Sequence, residues 1–198
     1  MITVITVCSG NMCRSPLAAQ ILGARTADLE PRIGFRSLGT VAPDGDAMHP
    51  QAAAWSRYLG GDPAEHRTAY LTSGRLAGAD LVLGMAREHR RAVVTAMPVL
   101  TRQAFTMREL ARLAARLTDA ELRDGLSGDG RDTDEARLGS VLRMIASTRG
   151  ATPPPADLAD DDVVDPIGRA PSVFELAARQ VDDASDQIER VLRTALGP

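Results

Sequence analysis

The chain has 198 residues, 44 % of them hydrophobic, enough for one core of ordinary size, and with only 3 % aromatics that core is expected to be mostly Ala, Leu and Val. Formal net charge is −3 and every one of the 23 basic residues is arginine, so no broad basic surface marks a nucleic-acid binder. No stretch approaches the ~20 apolar residues of a membrane span. Cys8 and Asn11 interrupt any signal-peptide pattern, and two cysteines in one turn are not a secreted disulfide framework. A cytoplasmic protein with reduced thiols is expected.

In chain order, "ITVITV" (2–7) is short and β-branched and predicts a buried strand. "VCSGNMCRSP" (7–16) follows as a turn, and "SPLAAQILGARTA" predicts a helix with Ser15 near its N-cap and Pro16 in its first turn. "IGFRSLG" (33–39) predicts a second strand, and "HPQAAAWSRYLG" (49–60) a helix stopped by Gly60-Gly61. Trp55 and Tyr58 in that helix are expected in the core, and His49 and His89 are expected as solvated helix residues. "ADLVLGM" (79–85) predicts a third strand, followed by the helix "AREHRRAVVTA"; "PVLTRQAF" (98–105) is a fourth strand candidate. Strands alternating with helices imply a parallel sheet with right-handed crossovers.

The stretch from about 107 to 150 reads as helical and charged. "ATPPPADLADDD" reads as a solvated, proline-rich acidic linker. "VVDPIG" (163–168) is an apolar run ending in a turn. Residues 172–196 predict a long amphipathic helix with Phe174, Leu176, Ala177, Val181, Ile188, Val191 and Leu192 on one face.

Strand, glycine-containing turn and helix N-terminus together make an anion cradle, because successive N–H groups point inward and the helix dipole adds positive charge. Here Cys8 opens the turn and Arg14 closes it. A thiol in such surroundings is expected to ionise near neutral pH and to act as a nucleophile. Arg14 can hold two phosphate oxygens with its planar fork. Ser9, Gly10, Asn11, Met12, Cys13, Arg14 and Ser15 are thus the candidate phosphate-binding loop. Ser15 can donate to the sulfur, and Gly10 and Asn11 both tolerate left-handed backbone angles. Attack on phosphorus needs an acid for the leaving oxygen. Asp165, stiffened by Pro166, is the best candidate, with Asp160, Asp161 and Asp162 as neighbours read as solvated.

These segments resemble the low-molecular-weight protein tyrosine phosphatase family. "VCSGNMCRSP" agrees with that family's phosphate loop, "VVDPIG" with its late Asp-Pro loop, "RSLGT" (36–40) with its second strand, and "EHRTAYLTSGRLAGADLVLGM" (65–85) with its middle segment. The resemblance covers residues 1 to about 105 and 163–196. It implies a three-layer α/β/α fold with a four-stranded parallel sheet of order 2-1-3-4. It also implies one phosphatase domain over residues 1–198 with an insertion at about 107–162, and catalysis by Cys8, Arg14 and Asp165 through a phosphocysteine. His66 and Ser37 fall where the family has residues supporting the loop. Ile167-Gly168 stand where family tyrosine phosphatases carry aromatics.

No metal and no other cofactor is expected, because no His, Cys and carboxylate cluster has ligand spacing. The expected partners are a phosphorylated protein or another phosphomonoester, and inorganic phosphate or sulfate in the loop. Neither nucleic acid nor membrane is expected, and the oligomeric state is not legible. Cys13 reads either as packed and inert or as a resolving thiol for oxidised Cys8. The competing functions are an arsenate reductase-like oxidoreductase, which lacks relay cysteines after Cys13; a protein-arginine phosphatase, where Met12 replaces a small threonine; and a non-catalytic phosphate-binding module.

Overall fold

The computed structural model describes residues 1–126 and 133–197. Strand β1 (Ile2–Cys8) lies in the middle of the sheet, and its β-branched side chains are buried on both faces, as a helix-covered parallel sheet requires. It pairs in parallel with β2 (Ile33–Gly39) on one side and β3 (Leu81–Gly84) on the other; β4 (Ala104–Thr106) completes the order 2-1-3-4. The register sets Cys8 beside Gly39, so the carboxyl ends of β1 and β2 meet where the turn begins.

One face of the sheet carries Ile2, Val4, Leu81, Leu83 and Phe105 under α1 (Arg14–Arg25), α5 (Met107–Ala114) and α8 (Pro171–Leu196). The other carries Ile5, Val7, Leu38 and Val82, packed with Leu76 of α3 (Ser73–Leu76) and Val93 of α4 (Arg87–Ala96). The three layers are those expected. The helix α2 (Pro50–Tyr58) leans on α1 and α8.

Several local expectations change. The fourth strand is only Ala104–Thr106, and Pro98–Arg102 forms a 3₁₀ turn instead. Pro98 has no N–H to give a ladder, and β3 offers partners only opposite 104–106. Leu176 is 48 % exposed, because two residues along a helix from the buried Phe174 turns it away from the seam. Tyr58 is exposed and rests edge-on against Trp55, and only Trp55 packs on the core.

The region after β4 is built into the core. Helices α6 (Asp119–Asp124) and α7 (Asp134–Ser147) bury Leu122, Leu138, Leu142 and Ile145 in the cluster that holds α5 and α8. Arg149 lies 4.3 Å over the Phe105 ring and pairs with Glu109. Residues 127–132, within the expected insertion, lie outside the described residues.

Among the described residues, no helix is long and apolar enough to cross a membrane, and no group of three or more His, Cys, Asp or Glu is placed to hold a metal ion.

Candidate active site

Helix α1 starts at Arg14, one residue after Cys13, so only five residues separate the end of β1 from the helix. Among the described residues no side chain caps α1, which leaves the amides of its first turn for the loop or its ligand. Asn11 takes a left-handed φ of 52°, an angle asparagine accepts more readily than most residues. Gly10, which would tolerate that conformation, does not adopt it. The glycine that the loop needs is Gly39. A Cβ there would stand 2.6 Å from the Ser9 carbonyl oxygen and 2.9 Å from the Asn11 Cβ.

Asn11 is fully buried and bonded through four groups. Its N–H donates to Cys8 Sγ at 3.2 Å and its Nδ2 to Ser15 Oγ at 2.9 Å; its Oδ1 accepts from the Ala69 N–H at 2.8 Å. Its carbonyl accepts from His66 Nε2 at 2.8 Å, which fixes the proton of that ring on Nε2. Burial holds the His66 pKa below its ordinary value, so the ring bonds in its neutral form. The Ser15 hydroxyl has one proton and two acceptors in reach, Cys8 Sγ at 3.0 Å and the Leu38 carbonyl at 3.4 Å. The shorter contact sends it to sulfur. The sulfur therefore sits under two donors, the arrangement a thiolate accepts. Ser37, expected in this network, makes no side-chain hydrogen bond to the loop among the described residues; it lines a neighbouring groove with His66.

Cys13 is buried, and burial, with Cys8 and Asp165 adding to it, pushes its thiol up to about 12. Met12 passes its carbonyl to the His49 N–H at 2.9 Å. His49 is not simply solvated: it caps α2 by accepting from the Gln51 N–H, and its ring stacks 4.8 Å from Phe174. His89 departs further from expectation. It is 1 % exposed and bonds Ser9 Oγ through Nε2 at 2.9 Å.

Arg14 is 5 % exposed and directs its fork across the loop: Nη2 bonds Asp165 Oδ2 at 2.5 Å and Nη1 the Val163 carbonyl at 3.3 Å. The Asp165 side chain remains 47 % exposed. Its Oδ1 accepts from the Ile167 N–H at 3.2 Å, an Asx-type turn, and Pro166 is buried in a nook with Cys13, Trp55 and Phe174. A cleft of about 340 Å³ opens beside Arg14 and Asp165, lined also by Arg108, Asp160, Asp162 and Gln180. A larger surface cavity of about 690 Å³ lies around Arg190 and contains none of these groups.

Asp160 is exposed, as expected, but the two aspartates after it are anchored rather than solvated. Asp161, 9 % exposed, makes a two-bond pair with Arg112 of α5 at 2.8 and 2.9 Å. Asp162 pairs with Arg87 and accepts the Arg87 N–H at the start of α4. Val163 N–H bonds the Met85 carbonyl at 2.7 Å, and Val164 N–H bonds Gln180 Oε1 at 2.9 Å. Spacing in the sequence could not give pairs 49 and 75 residues apart. The one available sign was arginine at 108 and 112, one helical turn apart, in a chain with a run of three aspartates.

A parallel sheet ends its central strand in Cys-x5-Arg-Ser, with a late Asp-Pro facing the arginine, as the resemblance to a phosphatase family implied. The family described as low molecular weight phosphotyrosine protein phosphatase matches residues 3–148, and the chain belongs to it. It is 32 % identical over 108 residues to a probable low molecular weight protein-tyrosine-phosphatase, EpsP, of Ralstonia nicotianae, covering 54 % of this chain and 72 % of that one. It is 30 % identical over 108 residues to a protein-arginine-phosphatase of Bacillus subtilis, covering 54 % and 70 %. The crystal structure of a low molecular weight protein tyrosine phosphatase from T. tengcongensis superposes with a TM-score of 0.64 at 27 % identity, over 95 % of this chain and 97 % of that one. The protein is thus a phosphatase acting on phosphorylated substrates.

Proposed function

We propose that the protein hydrolyses phosphomonoesters, protein phosphotyrosine first among them, through a phosphocysteine formed on Cys8. The observation that carries the reading is the Cys8 sulfur under the Asn11 N–H and Ser15 hydroxyl, with Arg14 closing the same loop and its fork on Asp165. In the first step the sulfur attacks phosphorus, the bond to the leaving oxygen breaks, and Asp165 gives that oxygen a proton. Arg14 and the loop amides hold the equatorial oxygens. In the second step Asp165 takes a proton from water, which displaces the sulfur and releases phosphate. Arg14 cannot hold Asp165 and two phosphate oxygens with the same fork, so substrate entry frees the carboxyl for the leaving group. Met12, larger than the threonine of arginine phosphatases, favours an ester over a phosphoguanidinium. A thiol nucleophile works best where thiols stay reduced, which supports a cytoplasmic setting.

The test is Cys8→Ser assayed on p-nitrophenyl phosphate, with phosphotyrosine, phosphoarginine and phosphosugar substrates compared on the native protein. Activity should fall by orders of magnitude while phosphate binding persists. More than about a tenth of the native rate in the variant would end the proposal. Faster hydrolysis of phosphoarginine than of phosphotyrosine would overturn the substrate assignment alone.

A further inference from the structure

His89 is the one buried side chain of the described residues that carries a polar atom without a partner. Its Nε2 meets Ser9 Oγ at 2.9 Å, and its Nδ1 is sealed inside the protein with nothing to bond. Two tautomers are open to a neutral imidazole. With the proton on Nδ1, a buried N–H would face no acceptor, the costlier kind of orphan. With the proton on Nε2, Nδ1 is left as a bare lone pair and the N–H has an acceptor. A second group points the same way: the Glu88 carboxylate lies 3.5 Å from Nε2 and, among the described residues, none lies at Nδ1, and a carboxylate favours the nitrogen that bears the proton. Burial, with the Arg14 charge second, depresses the ring pKa to about 4, although Asp165 and Asp162 oppose this; the neutral ring is the form present under ordinary conditions.

The assignment has a consequence in the loop. If His89 Nε2–H donates, Ser9 Oγ accepts, and the single proton of the Ser9 hydroxyl is free to point elsewhere. Ser9 follows the nucleophile directly, and its carbonyl is held by the Val41 N–H at 3.0 Å, which fixes its backbone at the mouth of the loop. We infer that His89 is a positioning residue which, in its Nε2–H tautomer, fixes Ser9 so that the Ser9 hydroxyl donates to a phosphate oxygen held in the loop. The inference rests on the reading of residues 8–15 as the phosphate loop. It adds a side-chain donor to the backbone amides and Arg14.

The first measurement needs no variant. Long-range proton–nitrogen NMR correlation on the His89 ring of the native protein should place the proton on Nε2. Protonated Nδ1 would overturn the inference. The second is the competitive inhibition constant of inorganic phosphate. A hydrogen bond to a charged group supports an expected weakening of about tenfold or more in Ser9→Ala and in His89→Phe. His89→Gln, whose amide nitrogen can donate from the same place, should recover most of the His89→Phe loss. The combined Ser9→Ala/His89→Phe protein should bind phosphate no more weakly than Ser9→Ala, since His89 acts through Ser9. Additive losses, or unchanged phosphate binding in Ser9→Ala, would overturn it. Failure of the native protein to bind phosphate at all would remove the loop reading and this inference together.

Discussion

At the scale of single residues, the two cysteines of the loop have opposite surroundings. Cys8 lies under two donors, whereas Cys13 is enclosed by apolar side chains and its thiol is pushed up to about 12. Peroxide converts Cys8 to a sulfenic acid; attack by Cys13 on that sulfur would form a disulfide and release water. Only the thiolate attacks, so a resolving role for Cys13 would be slow at neutral pH. After a peroxide pulse, the rate of disulfide formation followed by mass spectrometry should rise roughly tenfold per pH unit from pH 7 to 9. A rate flat across that range would show that Cys13 ionises more easily than its burial implies. Cys8 and Arg14 were legible in the sequence because a strand, a turn and a helix N-terminus lie within a dozen positions. His89 was not, because a histidine beside Glu88, Arg90 and Arg91 reads as a solvated helix face. Only the fold reveals that its ring turns inward, onto Ser9.

At the scale of elements, the aspartates just before Asp165 are held by α4 and α5. The Asp161–Arg112 pair is partly buried, with side-chain exposures of 12 % and 28 %, so it falls between exposed pairs worth up to ~1 kcal/mol and buried pairs whose breakage costs ~3–5 kcal/mol. Asp161→Asn should therefore lower unfolding free energy by about 1–3 kcal/mol. It should also slow hydrolysis of esters with poor leaving groups more than of activated esters, because a displaced acid matters only where the leaving oxygen needs its proton. Asp160→Asn, at an exposed residue outside the clamp, should do neither. Equal slowing of both ester classes by Asp161→Asn would show that Arg112 does not act through Asp165. The acidic run looked like linker in the sequence because proline and aspartate favour disorder unless a partner is supplied. The partners come from helices 49 and 75 residues upstream. The short β4 failed for a related reason: strand length here is set by how much of β3 is left to pair, not by apolar residues at 98–105.

At the scale of the whole molecule, the parallel sheet followed from alternating strands and helices, and its order from resemblance. The packing of α6 and α7 against α8 followed from neither, because apolar residues at helical spacing show that a face is buried and not what covers it. Global stability should report the buried histidines through pH. The folded pKa of His89 is about 4, below the ordinary 6.5, and that of His66 is also lowered, burial being the first cause for both. A histidine depressed in the fold stays neutral there while the unfolded chain takes up a proton. Stability is therefore complete above about pH 6.5 and declines as pH falls toward 4. For His89 the full loss is about 3 kcal/mol, reached near and below its folded pKa. Carboxylates held low by arginine, such as Asp44 at about 2, begin to lose their contribution only when the unfolded chain's carboxylates protonate near pH 4, so they act at the lower end of this window. Urea unfolding between pH 6.5 and 4.5 should show the native protein losing stability and His89→Gln losing much less. Parallel decline of the two proteins would mean that the His89 ring takes a proton within the fold as easily as in the unfolded chain, and that its burial is less complete than the structure shows.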